Sequence, residues 1–575
     1  MANFTSSPGV AISEIDNTFL TGQPVQAGAA IIGPTVKGPV EKPTLVTSYS
    51  NYVTLFGESF ISGGNAYSYL TSIAAYNYFN YGGTSLLVAR VASGSYTSAT
   101  SSYMPTASAG PTSGLSPFVL ETLSEGIIMN NSGSSVSGAL ASGSTDNVRW
   151  EITNLNTGSG TFNVLVRQGN DTTNNKIILE AFNNVNLDPN SSRYIAAVIG
   201  DQKLNYDSAN VQMQLSGSYP NSSRYVRVRS VNFPTPNYLD SNGIANPAYT
   251  SSLPANGSGS LDGAFGGAIG TTLTTSAINF YDAINSSNTQ GVVGSDYNNM
   301  INLFGNPEAY KFNVLFTPGL TNTDQPSQIT SIITNTISRG DNLYVMDLSP
   351  YSGNVSSTVT QAQTRDTSYA ATYWPWVRIV DPATGKQVWV PASTVVPGVY
   401  AFNDKVSAPW FAPAGINRGG LSTVLQAQYK LTQGQRDTLY ANNINPIATL
   451  PKQGVVVYGQ KTLQKSASAL DRVNVRRLMI EMKNYIRQIA DTVVFEQNTI
   501  ATRNSFVAKV TPFLEGIQQK QGLYAYKVVM DTSNNGPAVI DNNQLVGQIY
   551  IQPTRTAEFI SLDFILLPTG AEFPG

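Results

Sequence analysis

The chain has 575 residues, with 33 Lys and Arg against 35 Asp and Glu, so its net charge is −2. Charged residues make up only 12% of the sequence, half the ~25% usual for soluble proteins. Because 41% of the residues are apolar, a chain of this length can bury large cores, which excludes intrinsic disorder. A net charge near zero also gives no long-range field that would attract nucleic acid.

The sequence contains neither cysteine nor histidine. The first absence excludes disulfides, thiolate metal sites and cysteine nucleophiles. The second excludes Ser-His-Asp triads, the usual zinc ligand and the usual acid–base group near neutral pH. Carboxylates, lysine, tyrosine or an oxygen-ligated metal would have to carry any catalysis, and the sequence has no complete phosphate-binding loop and no EF-hand loop. We therefore expect a protein that is not an enzyme and binds no cofactor.

Targeting and membrane segments are not expected. The opening residues, MANFTSSPGV, lack a positive segment followed by an apolar one, so they predict no secretory signal. No run of 18 apolar residues occurs, so the sequence predicts no membrane-spanning helix.

Residues 1–22 predict an N-terminal arm. They are polar apart from one extended patch, in which Val10, Ile12, Glu14 and Ile15 lie. The patch follows a Pro-Gly pair, which favours a strand, and the neighbouring sequence offers no hairpin partner for it.

Residues 23–92 and 190–350 alternate apolar strands with amphipathic helices, the order of an α/β domain. The predicted strands lie at 29–33, 44–47, 86–91, 312–316 and 343–347, and the predicted helices lie near 65–80 and 327–339. Residues 93–148 are rich in Ser, Thr and Gly and carry only three charged residues. Strands are predicted to follow at 148–153, 162–167 and 177–182, and helical periodicity resumes only at about 191–199. Residues 93–189 therefore predict a β domain inserted into the α/β domain.

Residues 351–575 predict an α+β domain with one long helix over 466–495. At 100° per residue, four basic residues of this helix fall within about 60° of one another and form a stripe about 22 Å long. They are Arg472, Arg476, Lys483 and Arg487. The stripe fits either a solvated helix face or a surface that binds an acidic partner, and the pattern does not separate the two.

Three β runs follow the helix, at 523–530, 545–552 and 556–567. The last is apolar on both faces, with Ile560, Leu562, Phe564 and Leu566 alternating along it. An uncovered strand of this kind would promote aggregation. Lone strands at both ends of the sequence indicate a protein that pairs with its own copies by strand addition. For the C-terminal strand, pairing inside its own sheet is an equal alternative.

Seven longer segments of the sequence, taken together and in their order along the chain, carry a resemblance to a known family. They are PGVAISEID at 8–16, AGAAIIGPTVKGPVEKPTLVTSYSNYVTLFGE at 27–58, FNVLVR at 162–167, NVNLDPNSSRYIAAVIG at 184–200, WVPASTVVPGVYAFNDKVSAPWFAPAGINRG at 389–419, NINPIATLPKQGVVVYGQKTL at 443–463 and VNVRRLMIEMKNYIRQIADTVVFEQN at 473–498. Together they resemble the contractile-tail sheath proteins of bacteriophages, a family shared with tailocins and related injection machines. The resemblance spans most of the chain outside about 93–160 and 230–310.

The resemblance implies a multidomain α/β and α+β fold with an inner α/β core, an inserted, mainly β outer domain and extended strand arms at both termini. It implies stacked hexameric rings of identical subunits around a tail tube protein, with baseplate and tail terminator proteins as further partners. The sheath would contract to drive the tube through the host envelope. Nucleic acid, membrane insertion and cofactors have no part in this function. The protein would assemble in the host cytoplasm and reside in the virion tail.

The resemblance also implies roles for the segments singled out above. The strands with Val10, Ile12, Glu14 and Ile15 and with Ile560, Leu562, Phe564 and Leu566 would link neighbouring subunits. The stripe of Arg472, Arg476, Lys483 and Arg487 would face the tube. Two other functions are alternatives: a carbohydrate-active or carbohydrate-binding β-rich protein, favoured by 30 tyrosines, five tryptophans and the polar β insertion, and a baseplate component built on the same fold.

Overall fold

The computed structural model of the protein describes residues 25–62, 64–107, 114–134, 138–270, 281 and 283–559. The residues predicted to link subunits lie outside this part of the chain. They are Val10, Ile12, Glu14, Ile15, Ile560, Leu562, Phe564 and Leu566.

The first segment supplies one side of a large sheet and the helices that cover it. Its elements are β1 (Val25–Gly33), β2 (Thr44–Val46), α1 (Tyr49–Phe56), β3 (Phe60–Ser62), β4 (Asn65–Tyr67), α2 (Leu70–Asn80) and β5 (Leu86–Arg90). Ser48 caps α1, because its side chain accepts a hydrogen bond from the backbone N–H of Asn51. Most of α2 is buried, which agrees with apolar or small residues around its whole circumference.

The second segment forms an all-antiparallel β region. Its elements are β6 (Ser98–Ser101), β7 (Phe118–Glu125), β8 (Val148–Asn156), β9 (Thr161–Gln168), β10 (Ile178–Val185), α3 (Ile195–Ile199), β11 (Lys203–Asp207), β12 (Gln212–Ser216), β13 (Val226–Val231), α4 (Pro247–Thr250) and β14 (Phe265–Gly266). One sheet has the order β10-β9-β8, a second has the order β13-β7-β6-β14, and β11 pairs with β12. The first two sheets share one hydrophobic core, in which Trp150 and Phe162 are fully buried.

The third segment returns to alternating helices and strands. Its elements are α5 (Asn298–Leu303), β15 (Tyr310–Thr321), α6 (Pro326–Arg339), β16 (Leu343–Asp347), α7 (Val355–Gln363), β17 (Ala370–Trp374), β18 (Val377–Val380), β19 (Gln387–Val390), α8 (Val396–Val406), β20 (Val424–Ala427), α9 (Gln433–Ala441), β21 (Asn445–Leu450) and β22 (Gly454–Val457). Helix α6 begins at Pro326, where a missing N–H costs nothing because the first turn of a helix has no acceptor for it. Gly340 follows the last helical residue and adopts a φ of +69°, which suits glycine.

The last segment consists of two long helices and a hairpin. Its elements are α10 (Val473–Asp491), α11 (Ile500–Gln519), β23 (Leu523–Val529), α12 (Pro537–Asp541) and β24 (Gln548–Pro553). A separate core holds these elements together, with Leu478, Phe506, Val510 and Leu514 at its centre.

The central sheet has eight strands in the order β2-β5-β1-β15-β16-β17-β21-β22. The six inner strands run parallel, and an antiparallel strand closes each side. Both faces are covered, so β5, β16 and β17 are buried along their whole length. Alternate residues serve two cores: Phe316 and Val345 belong to one face, and Tyr344 and Met346 to the other.

The β region extends further than the sequence predicted. We expected it to end at residue 189, with α/β structure resuming at 190. Strand β13 instead pairs with β7, and residues as late as Phe265 and Ala268 belong to the core of the β region. The apparent return of helical periodicity after residue 190 is only the short helix α3, whose Ile195 and Ile199 are buried in this same core.

The predicted boundary at residue 350 is also misplaced. Strand β16 pairs with β17 across it, as Tyr344 lies opposite Ala370. The central sheet then continues through β21 and β22, and the separate C-terminal unit begins only with α10. The long helix predicted over 466–495 is shorter, running from Val473 to Asp491. In the described residues, no helix combines the length and the apolar character needed to cross a membrane.

Candidate functional site

The four basic residues of α10 do not form one exposed surface. Arg476 is only 4% exposed, although the sequence predicted it to face a partner. Its guanidinium lies 4.0 Å from the centroid of the Tyr369 ring, and it donates a hydrogen bond to Ser368 Oγ. The helix turns this residue toward the central domain of its own chain, where the aromatic face takes up the charge.

Arg472 is likewise engaged within the chain. It precedes the first turn of α10, and its Nε lies 2.8 Å from Glu558 Oε1 while Nη1 lies 3.0 Å from Asp471 Oδ2. Its side chain is 25% exposed. Two carboxylates therefore already satisfy this arginine.

Lys483 and Arg487 remain exposed, so the structure leaves two of the four predicted residues accessible. Lys483 Nζ lies 3.1 Å from Tyr369 Oη. Arg487 borders a narrow crevice of about 40 Å³ together with Ala27 and Asp341. The predicted spacing along the helix is correct, but the docking of α10 on the central domain covers the first half of the stripe.

Sequence reasoning missed a second basic position on α10. Arg477 is buried, pairs with Asp404 at 2.5 Å and lies 4.7 Å from the centroid of the Tyr400 ring. This contact fixes α10 to α8. A basic residue beside the stripe gave no signal of burial, because the partner lies 73 residues away in the sequence.

The connection between α10 and α11, together with the first residue of α11, exposes three large apolar side chains. Val494 is 59% exposed, Phe495 is 100% exposed and Ile500 is 64% exposed. Phe495 also has a φ of +70°, which is uncommon for a bulky residue. This end of the helical pair therefore presents exposed apolar surface.

The hairpin of β23 and β24 forms its own two-stranded sheet. Within the described residues, no third strand pairs with the outer edge of either strand. One face packs on the core of α10 and α11 through Tyr526, Val528, Ile549 and Ile551. The opposite face is exposed, with Tyr524 at 64% and Tyr550 at 56%. An isolated hairpin is marginally stable, so its packing on the helices is what holds it in place.

The chain after β24 returns to the central domain at Glu558. This carboxylate accepts hydrogen bonds from Arg472 Nε at 2.8 Å, Tyr440 Oη at 2.8 Å and Gln460 Nε2 at 3.0 Å. Burial raises the pKa of the Glu558 carboxyl, but these three donors outweigh it and hold that pKa below its ordinary value. The sequence gave no signal for this site, since Glu558 is a lone acid inside a segment predicted to be a strand.

The tryptophans, which suggested a carbohydrate-binding surface, serve as packing residues. Trp150, Trp374 and Trp376 are at most 2% exposed. Trp389 and Trp410 pack against the cores of the central sheet and of the C-terminal helices. All five therefore contribute to the interior, so the tryptophans give no support to a carbohydrate-binding surface. The described residues also contain no group of three or more Asp or Glu placed to hold a metal ion.

Family models match two adjacent parts of the chain. Residues 290–463 match the phage tail sheath protein central domain, and residues 465–566 match the phage tail sheath C-terminal domain. The border between the two models falls between β22 and α10, where the central sheet ends and the separate C-terminal unit begins.

Curated relatives carry the same description. A tail sheath protein of Vibrio phage KVP40 is 39% identical over 207 residues, which are 36% of this chain and 31% of the relative. A tail sheath protein of Enterobacteria phage T4 is 42% identical over 185 residues, which are 32% of this chain and 28% of the relative. The chain thus spans about a third of the length of the curated relatives it matches.

Solved structures of sheath proteins resemble the chain loosely. The helical sheath of the anti-feeding prophage in the contracted state gives a TM-score of 0.48 at 15% identity, covering 98% of this chain and 99% of that chain. A sheath tail protein from Listeria innocua gives a TM-score of 0.49 at 11% identity, covering 92% and 95%. The sequence evidence is stronger: two sheath domain models match in order from residue 290 to residue 566, and the relatives are named tail sheath proteins, so the chain is similar to the phage tail sheath family over this part of its length.

Proposed function

We propose that the protein is a structural subunit of a contractile tail sheath, which polymerises as stacked hexameric rings around a tail tube in the virion. Contraction of this sheath would drive the tube through the host envelope. Similarity to the domains of a structural family supports this function and disfavours an enzyme. The ends of such a polymer would meet the baseplate and the tail terminator.

The observation that carries the proposal is the hairpin of β23 and β24. Its outer edges present backbone N–H and C=O groups that no described strand satisfies. A hairpin packed on two helices is a rigid acceptor, and a strand from another copy of the chain could extend it by main-chain hydrogen bonds. The hairpin offers two edges, and the sequence predicts two lone strands, one at each end of the chain. Each subunit would therefore donate two strands and accept two.

The exposed residues of α10 supply a second contact. Lys483 and Arg487 lie on the accessible half of the helix, and exposed apolar side chains follow its C-terminal end. Their proposed partner is the tail tube, through an acidic surface. Exposed ion pairs contribute only about 0–1 kcal/mol each, so the sheath could release the tube and slide along it during contraction. Arg472 and Arg476 would stay within the subunit.

Mechanical work in this proposal comes from the lattice of subunits. The extended sheath is metastable, and the subunits gain contacts when they rotate and move outward into a shorter, wider arrangement. Linked strands would hold neighbours together while the interfaces between domains change partners. A modest gain per subunit, summed over many copies, can drive the tube without nucleotide hydrolysis.

Electron microscopy of the purified protein tests the proposal. Long striated tubes, or rings that stack into tubes, would support a sheath subunit. Discrete particles that never polymerise over a range of salt and protein concentrations would contradict it. Counting copies in the native particle separates a sheath subunit, present in many rings, from a baseplate component.

A further inference from the structure

Residues 554–559 have no regular secondary structure, yet they are held at both ends. Thr554 donates its backbone N–H to Gly522 O at 3.2 Å and its hydroxyl to Gln521 O at 2.7 Å. Four residues further on, Glu558 accepts its hydrogen bonds from Arg472, Tyr440 and Gln460. We call Glu558 with these three donors the Glu558 clamp.

The three donors of the Glu558 clamp come from separate places in the fold. Tyr440 lies in the last turn of α9, Gln460 follows β22, and Arg472 precedes α10. Gln460 Nε2 also lies 2.6 Å from Thr556 Oγ1, which adds a second contact to the same segment. The side chain of Glu558 is only 17% exposed, so water competes weakly for these bonds.

The clamp closes a loop in the chain. The C-terminal unit leaves the central domain at Arg472, runs through α10, α11 and the hairpin, and returns to Arg472 at Glu558, 86 residues later. The point at which the chain continues beyond Glu558 is therefore attached to the central domain where the C-terminal unit begins.

We propose that the Glu558 clamp is a mechanical anchor, which carries tension from the chain beyond residue 559 directly into the central domain and keeps it off the hairpin of β23 and β24. Without the clamp, a pull from beyond residue 559 would act first on the two hydrogen bonds of Thr554 and then on Pro553, the end of β24. The hydrogen bonds between β24 and β23 would then open one at a time from that end. With the clamp, several charge-assisted bonds to three elements share the load at once.

The anchor deepens the proposed function and rests on it for its biological purpose. In a contracting sheath, the C-terminal strand of one subunit would be pulled by its neighbour while the hairpin of the same subunit holds strands from other neighbours. A clamp between the two would let a subunit carry load at its own C-terminal strand without releasing the strands it has accepted. The anchor itself is a property of the single chain, so it can be tested without assembly.

Single-molecule pulling on the full-length monomer tests the anchor. The chain has no cysteine, so Ser356→Cys and Gly575→Cys provide two attachment points for handles. Ser356 is an exposed residue of α7 in the central domain. In the otherwise unchanged chain, we expect the 86-residue loop to stay closed until the clamp breaks. In Glu558→Ala, we expect it to open at clearly lower force, with an extension of up to about 300 Å for a loop of that length.

Asp146→Ala is the matched control. Asp146 pairs with Lys37 at 3.2 Å and its side chain is 21% exposed, close to the 17% of Glu558, but it lies in another part of the molecule. We expect this variant to open the loop at the same force as the parent. Should Glu558→Ala fail to fold, Glu558→Gln and Tyr440→Phe keep most of the geometry and should give intermediate forces.

Equal opening forces in the parent and in Glu558→Ala, with both chains folded, would overturn the anchor. So would a large drop in Asp146→Ala, which would show a general loss of stability. These outcomes are independent of polymerisation. A protein that forms no tubes but has a load-bearing clamp would contradict the proposed function alone, and tubes formed by a chain whose clamp bears no load would contradict the anchor alone.

Discussion

The central sheet and the hairpin of β23 and β24 solve the problem of strand edges in opposite ways. On one side the central sheet ends in β2, a strand of only three residues. On the other side, the edge of β22 is covered by residues 415–421, where Leu421 N–H donates to Val455 O at 3.0 Å and Val457 N–H donates to Gly419 O at 2.8 Å. The strands of the hairpin are longer, and within the described residues no third strand pairs with either of them. A sheet with closed edges serves as a rigid body, whereas a sheet with open edges is suited to exchange between molecules.

If strands from other copies of the chain bind at the edges of the hairpin, removing a donor strand should abolish polymerisation. We expect deletion of residues 1–16 to leave a folded protein that does not polymerise, because the central sheet needs no strand from this segment. Circular dichroism checks the fold, and electron microscopy or sedimentation checks the polymer. Ile12→Pro should act in the same direction, since proline removes one main-chain donor from the predicted strand, whereas Ser6→Pro lies outside that strand and is the control. Normal tubes from the deleted protein would contradict linkage through the N-terminal strand.

Truncating a packed side chain should lower the free energy of unfolding more in the central sheet than in the hairpin. Phe316 is fully buried in the central sheet, so Phe316→Ala should cost about 3–5 kcal/mol of unfolding free energy. Ile551 is half-buried on the hairpin, so Ile551→Ala should cost about 1 kcal/mol. Chemical denaturation followed by circular dichroism measures both. A larger cost for Ile551→Ala than for Phe316→Ala would show that the hairpin belongs to the rigid body.

A buried carboxyl in the central sheet gives a pH-dependent prediction. Asp347, at the end of β16, is 3% exposed, and burial raises its pKa from 3.8 to about 7 although Ser393 donates two hydrogen bonds to it. Because its pKa is higher in the folded protein than in the unfolded chain, protonation of Asp347 stabilises the folded state, and this stabilisation is complete below pH 3.8. This stabilisation is lost as the pH rises from about 3.8 through about 7.

Asp347→Asn should therefore raise the thermal unfolding midpoint at pH 8, by several degrees, and change it little at pH 4. The amide keeps an oxygen for the Ser393 N–H and can donate to the Ser393 hydroxyl. Thermal melts of both proteins at the two pH values give the comparison. An equal shift at both would show that the carboxyl does not titrate as its burial implies.

The smallest effect is expected from the exposed basic residues of α10. The double variant Lys483→Glu and Arg487→Glu should weaken assembly on the tube while self-polymerisation continues, because each exposed ion pair contributes only about 0–1 kcal/mol. Co-sedimentation with tail tubes measures this. Lys430→Glu, another exposed lysine outside α10, is the control. Unchanged binding of the double variant would exclude these residues from the contact.

Local patterns predicted the regular elements well. Val226 and Val228 alternate with Arg227 and Arg229 in the sequence, a pattern typical of a strand with one apolar face, and β13 buries both valines. Apolar runs predicted β16 at its observed bounds and α6 within one residue. Helix α11 was missed, although Phe506, Val510 and Leu514 recur at helical spacing and are buried together. These features depend on neighbours in the sequence, so they can be read from it.

Partners that lie far apart in the sequence could not be predicted in this way. The spacing of four basic residues on α10 was correct, but only tertiary packing decided that Arg476 lies on Tyr369, 107 positions earlier, while Lys483 and Arg487 stay exposed. Domain borders failed for the same reason, since β13 and β17 pair with strands that no local pattern specifies.

The sequence by itself determined that cysteine and histidine are absent, the order of helices and strands and the similarity to phage tail sheath proteins. Each of these depends on residue types and their order along the chain. The tertiary structure decided which edges are open, which charges are neutralised within the chain and where the C-terminal segment is anchored. Those properties depend on contacts between distant residues, and burial and hydrogen bonding give a side chain its role only once the chain has folded.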